Sequence, residues 1–123
     1  MTIRVAALDH VQLAMPAGRE ADAEAFYCDV LGLGVLEKPE PLASRGGRWF
    51  ACGDVQVHLG VDSGFTPARK AHPALRMEGF DELVDKLEEI NATWRWDEDL
   101  PGVRRLYIDD PFGNRIELID AAL

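Results

Sequence analysis

The sequence predicts an α+β fold in which one unit, a strand, a helix and three further strands, is used twice. Alternating apolar and polar runs mark the strands, and two segments with apolar residues at helical spacing mark the helices. The third observation is internal likeness. "DHVQLAM" and "AHPALRM" align at an offset of 62 residues, bringing His10 onto His72, Leu13 onto Leu75 and Met15 onto Met77. The same five elements surround each stretch in the same order, the signature of a duplicated unit.

Taken in order, "ALDHVQLAM" reads as the first strand, with His10 inside it, and "PAGRE" turns the chain. "EADAEAFYCDVLGLG" reads as a helix of about three turns, stopped at Gly32 and Gly34. A short strand near "VLEKP" follows. "SRGGRWFACGDVQVHLGV" reads as a hairpin turning at Gly53-Asp54. In the second half "AHPALRM" is a strand. "GFDELVDKLEEI" is a helix with Asp81 as its N-cap and Phe80, Leu83, Leu87 and Ile90 as its buried stripe. "TWRW" is a short strand, and "VRRLYID" and "RIELID" form a hairpin closed by Asp-Pro-Phe-Gly-Asn. The expected organisation is one domain over 1–123, with modules over 1–62 and 70–123.

With 123 residues, 47% of them apolar, the chain has material for one core. Its 13 Lys and Arg against 22 Asp and Glu leave a net charge of −9. That disfavours nucleic acid and anionic membrane as partners and is silent about a small molecule in a pocket. Cys28 and Cys52 form no framework or C-x-x-C pair, which points to reduced thiols and a cytoplasmic location. No apolar run approaches the ~20 residues of a membrane helix, and no signal-peptide pattern is expected at the N-terminus.

Neither half is large enough to cover both faces of its own sheet. Curled sheets that pack together would enclose a cavity, and polar residues inside strands would line it. His10, His58, His72 and Glu117 each lie between apolar neighbours. A carboxylate or imidazole on an inner face is costly unless paired or bound to metal. Imidazoles with a carboxylate suit Fe, Mn, Co, Ni or Zn.

"DPFGNRIEL", "LDHVQLAM" and "AFYCDVLGLGV" resemble the ending, the opening strand and the first helix of the vicinal-oxygen-chelate superfamily. That superfamily includes glyoxalase I, bleomycin-resistance proteins, fosfomycin-resistance enzymes and extradiol dioxygenases. The resemblance implies two tandem βαβββ modules forming a curved, cup-like mixed sheet. It implies a divalent metal held by His10, His72 and Glu117, with Glu117 also moving the substrate proton. The fourth-strand ligand is Gln56 or His58; His58 is the better donor. Pro73, after the second histidine, departs from the family's branched aliphatic residue.

Each residue has a second reading. The histidines would be hydrogen-bonded core residues, and Glu117 would pair with Arg104, Arg105 or Arg115. Gln12, Trp49 and Tyr107 are candidates for touching substrate. Trp94 and Trp96 would either cover the cup entrance or belong to a solvated turn, and Arg69 and Lys70 would contact an anion or belong to a linker. The implied activity is isomerase, lyase or dioxygenase chemistry on a small molecule, in a homodimer. The alternative is a metal-free antibiotic-binding protein of the bleomycin-resistance type.

Overall fold

The computed structural model describes residues 2–122. Strand β1 is Val11–Met15, β2 Gly34–Leu36, β3 Arg48–Cys52 and β4 Val55–Val61; β5 is Ala74–Met77, β6 Trp94–Asp97, β7 Arg105–Asp109 and β8 Arg115–Asp120. They form two four-stranded mixed sheets, ordered β1-β4-β3-β2 and β5-β8-β7-β6. In each, the first strand runs parallel to the last and the other neighbours are antiparallel. Two βαβββ modules are therefore present, and their sheets stay open like a cup.

Helix α1 spans Glu20–Glu24, and the chain continues as a π-helical stretch over Ala25–Val30. Helix α2 spans Phe80–Glu89. Its N-cap is Gly79 at φ +68°, not Asp81; Asp81 lies in the first turn, where it complements the helix dipole. Phe80, Leu83 and Leu87 are buried as the spacing requires, but Ile90 at the frayed end is exposed.

Strand alternation divides each sheet into two faces. Val57, Leu59, Phe50, Leu106, Ile108, Ile116 and Leu118 turn to the core with Phe26, Tyr27, Phe80 and Leu87. Trp94 packs against that core, and Trp96 meets it edge-on and lies 6.1 Å from Phe80. These indoles therefore sit behind the second sheet, away from the face carrying Tyr107 and Glu117.

The Asp110–Asn114 turn joins the modules. Asp110 Oδ1 accepts hydrogen bonds from the Phe112 and Asn114 backbone N–H groups, and Oδ2 accepts from the Asn114 amide and, at 2.7 Å, from the Tyr27 hydroxyl. Asn114 Nδ2 also donates to the Ala14 carbonyl. Gly113 takes φ +90°, a conformation that side-chain-bearing residues rarely adopt. The turn thus fixes the β7–β8 register and ties it to β1 and the first helical segment. Register decides the face on which Glu117 stands.

Candidate functional site

On the cup face of the second sheet, Arg95, Tyr107, Glu117 and Ala74 form one row across β6, β7, β8 and β5. Glu117 is buried. Its Oε2 accepts from Arg105 Nη1 at 2.9 Å, and Arg105 Nη2 donates to Asp97 at 2.8 Å. Burial alone would raise the Glu117 carboxyl's pKa; hydrogen bonds from Arg105 and His72 outweigh it and hold the group below its usual range. Glu117 and Asp97 in turn hold the Arg105 guanidinium above its ordinary value.

His72 precedes β5. The Glu117 N–H donates to the carbonyl of Pro73, so the proline missing from the ladder as a donor serves as an acceptor at the strand's start. His72 Nδ1 lies 2.8 Å from the Lys70 carbonyl, and Nε2 lies 3.0 Å from Glu117 Oε1. Both oxygens only accept. A neutral imidazole carries a single N–H, so one contact needs a cation: a second ring proton or a metal ion. His72 and Glu117 are the residues here that would hold such an ion. An Nδ1–H donated to a backbone carbonyl also leaves Nε2 in the metal-binding tautomer.

On the first sheet's cup face, three rings form a column. The His58 ring lies 4.1 Å from Trp49 at 8° and 4.2 Å from His10 at 17°. His58 Nε2 donates to Gln56 Oε1 at 3.0 Å. Burial holds the His58 imidazole's pKa below its usual value, and His10 pushes the same way against the smaller opposing pull of Asp9. His10 Nδ1 lies 2.8 Å from Asp9, and its Nε2 has no hydrogen-bond partner among the described residues, as in the tautomer inferred for His72. Gln12 lies beside His58 in the ladder and crosses Gly60, where a Cβ would come within 2.6 Å of its amide nitrogen.

The registers make the two faces equivalent. Gln12 is opposite His58 and Trp49 is opposite His58, as Ala74 and Tyr107 are each opposite Glu117. His10, His58 and Trp49 therefore correspond to His72, Glu117 and Tyr107. His58, rather than Gln56, occupies the Glu117-like place.

The four expected ligands are divided into two pairs, His10 with His58 and His72 with Glu117. Among the described residues no three His, Cys, Asp or Glu are grouped to hold a metal ion. His10 lies one residue before β1 rather than inside it. The sequence pattern missed Asp97, which shares the Arg105 guanidinium with Glu117, and the clamp role of Asp110. An acidic residue six positions before Arg-rich "VRRLY" gives no periodic signal, whereas Asp at the head of a Gly-Asn turn is a usable one.

Residues 7–118 match the model of the Glyoxalase/Bleomycin resistance protein/Dioxygenase superfamily. A glyoxalase family protein from Bacillus anthracis is 42% identical, with a TM-score of 0.92 over 98% of both chains. The fosfomycin resistance protein FosX from Listeria monocytogenes shares the fold at 14% identity, TM-score 0.75, over 98% of this chain and 97% of that one. Lactoylglutathione lyase from Agrobacterium tumefaciens does so at 23%, TM-score 0.62, over 90% and 92%. No curated protein matches. With the duplicated modules and the matched length, the chain belongs to the Glyoxalase/Bleomycin resistance protein/Dioxygenase superfamily.

Proposed function

We propose that the chain is a glyoxalase-like metalloenzyme acting on a small molecule. In this reading His72 and Glu117 form one half of a divalent metal site and His10 of a second copy completes it. The observation that carries the reading is the His72 ring, whose two nitrogens both face acceptor oxygens. A divalent ion there would supply Lewis acidity toward two neighbouring oxygens of a substrate. Glu117 is held ionised at neutral pH, which suits a proton acceptor and not a donor. His58, clamped between Trp49 and His10, sets the plane of His10, and Gln12 and Trp49 on one half with Tyr107 on the other contact the substrate.

A second copy also accounts for residues 2–10. They carry no regular structure, and Ile3, Val5 and Leu8 are 100%, 89% and 79% exposed. Pairing on a homodimer would cover these side chains and bring the two half-sites together. Metal analysis of protein made without a histidine tag tests the reading. Stoichiometric Fe, Mn, Co, Ni or Zn, lost in His72→Ala, is expected; metal-free protein would overturn it.

One observation favours a metal-free binding protein. Arg105 already neutralises Glu117, so the carboxylate has a cationic partner without a metal. In that case small-molecule binding would survive chelator treatment.

A further inference from the structure

In a chain of net charge −9, the cup face of the second sheet gathers arginines. Three guanidiniums surround the Tyr107 ring: Arg95 at 4.9 Å, Arg115 at 5.6 Å and Arg105 at 5.8 Å from its centroid. Arg105 is committed to Glu117 and Asp97, yet its Nε is a buried donor with no partner among the described residues. Arg95 and Arg115 make no ion pair among the described residues, although Asp109 stands across the ladder from Arg115 and Asp97 two places from Arg95. Crowded like charges are relieved by an anion, and a planar guanidinium fork is the side chain best suited to grip an oxyanion.

At the edge of this cup face Arg115 and His72 border a cavity of about 300 Å³, walled otherwise mainly by Ala71 and Pro73 and by Val11 and Leu13 from the core-side face of β1. That is the small end of the range for ligand pockets, mostly apolar with few polar groups.

We infer that the substrate is a small oxyanion-bearing molecule, its anionic head gripped by Arg95 and Arg115 beside Tyr107 and its short apolar part lodged against Val11, Leu13 and Pro73. The inference rests on the reading of this cup face as the substrate site. The T-shaped contact between Tyr107 and His72, 5.1 Å between ring centres, puts the anion grip next to the proposed metal pair. The head would be a carboxylate or a phosphate-type group; the guanidiniums accept both, and the cavity wall favours whichever carries an apolar tail.

The test is titration of metal-free protein with butyrate and with inorganic phosphate, followed by NMR. Saturable binding that shifts Tyr107 ring signals is expected, and it should weaken at least about tenfold in an Arg95→Gln/Arg115→Gln variant, the loss of roughly one charge-assisted pair. Arg95→Lys/Arg115→Lys, which keeps charge and fold, should bind with intermediate affinity. Preference for butyrate over phosphate assigns a carboxylate with a tail, and the reverse assigns a phosphate-type head. Absence of saturable binding by both anions, shifts confined to other residues, or unchanged affinity in the Gln variant would overturn the inference. Metal content of the Gln variant is measured in parallel. A wild type that carries no metal as purified, before any chelator is used, yet binds butyrate would sink the metal reading and leave the anion site standing.

Discussion

His72 Nε2 stands 3.0 Å from Glu117 Oε1 while the other nitrogen of the same ring faces the Lys70 carbonyl. The pair joins the residues just before β5 to the middle of β8, its parallel neighbour, while the Asp110 turn holds the β7–β8 register that sets Glu117's face.

Glu117 and His58 should leave separate marks on stability against pH. Glu117 titrates below its usual value in the fold, so its contribution is present above about pH 4.5 and is lost as pH falls through the lower folded value. His58 is also depressed, but as a base: the unfolded chain takes up its proton first, so stability declines as pH falls below about 6.5. Urea midpoints from pH 7.5 to 3 are expected to flatten near pH 6 in His58→Phe and below pH 4.5 in Glu117→Gln. Identical slopes in variants and parent would refute the assignment.

Asp110 should dominate the junction of the modules. Asp110→Ala leaves the Tyr27 hydroxyl and two backbone N–H groups without their acceptor. At about 1–3 kcal/mol for each buried unpaired donor, with partial relaxation, the loss is about 3–5 kcal/mol. Tyr27→Phe removes one charge-assisted hydrogen bond and should cost about 1.5–3 kcal/mol. Urea unfolding monitored by tryptophan fluorescence gives both values, and a cost below about 1 kcal/mol for Asp110→Ala would contradict the structure.

Two glycines, Gly47 just before β3 and Gly60 within β4, should respond differently to alanine. At Gly47, φ is +80° and a Cβ would stand 2.1 Å from the Leu59 carbonyl oxygen, so backbone must move. At Gly60 the Cβ would meet only the end of Gln12, a flexible side chain. Gly47→Ala is expected to cost more than about 2 kcal/mol. Gly60→Ala should cost under about 1 kcal/mol, because only the end of Gln12 must move. Thermal melts of the two variants rank them directly.

Removing residues 2–8 should turn the proposed dimer into a monomer. Ile3, Val5 and Leu8 have no cover among the described residues, and an exposed apolar segment of this kind calls for a partner. Sedimentation velocity at micromolar concentration distinguishes the species. A truncated chain that sediments like the parent would remove the arm from the interface.

The element order was legible because burial imposes period 2 on β4 and β8 and period 3.6 on α2. Edges were less so. His10 continues the alternation of β1, yet the ladder to β4 begins only at Val11; alternation reports a face, not a hydrogen bond. Asp81 looks like a cap by residue type, but the left-handed Gly79 starts the helix. Trp94 and Trp96 share a face with Leu106 and Ile108, and only the ladder between β6 and β7 reveals it. Histidine and glutamate at equivalent positions were visible in the repeat. Their division into pairs was not, because it depends on how the two sheets stand in three dimensions.

The central claim is a metal site shared between two copies, and one heterodimer tests it. Chains carrying His10→Ala and His72→Ala are co-expressed with different non-histidine tags, and the mixed dimer is isolated for metal analysis. A shared site leaves one combination of wild-type His10 and wild-type His72 intact, so one metal ion per mixed dimer is the result expected, against none in either variant alone. A mixed dimer without metal, or a wild-type protein without it, would contradict the account.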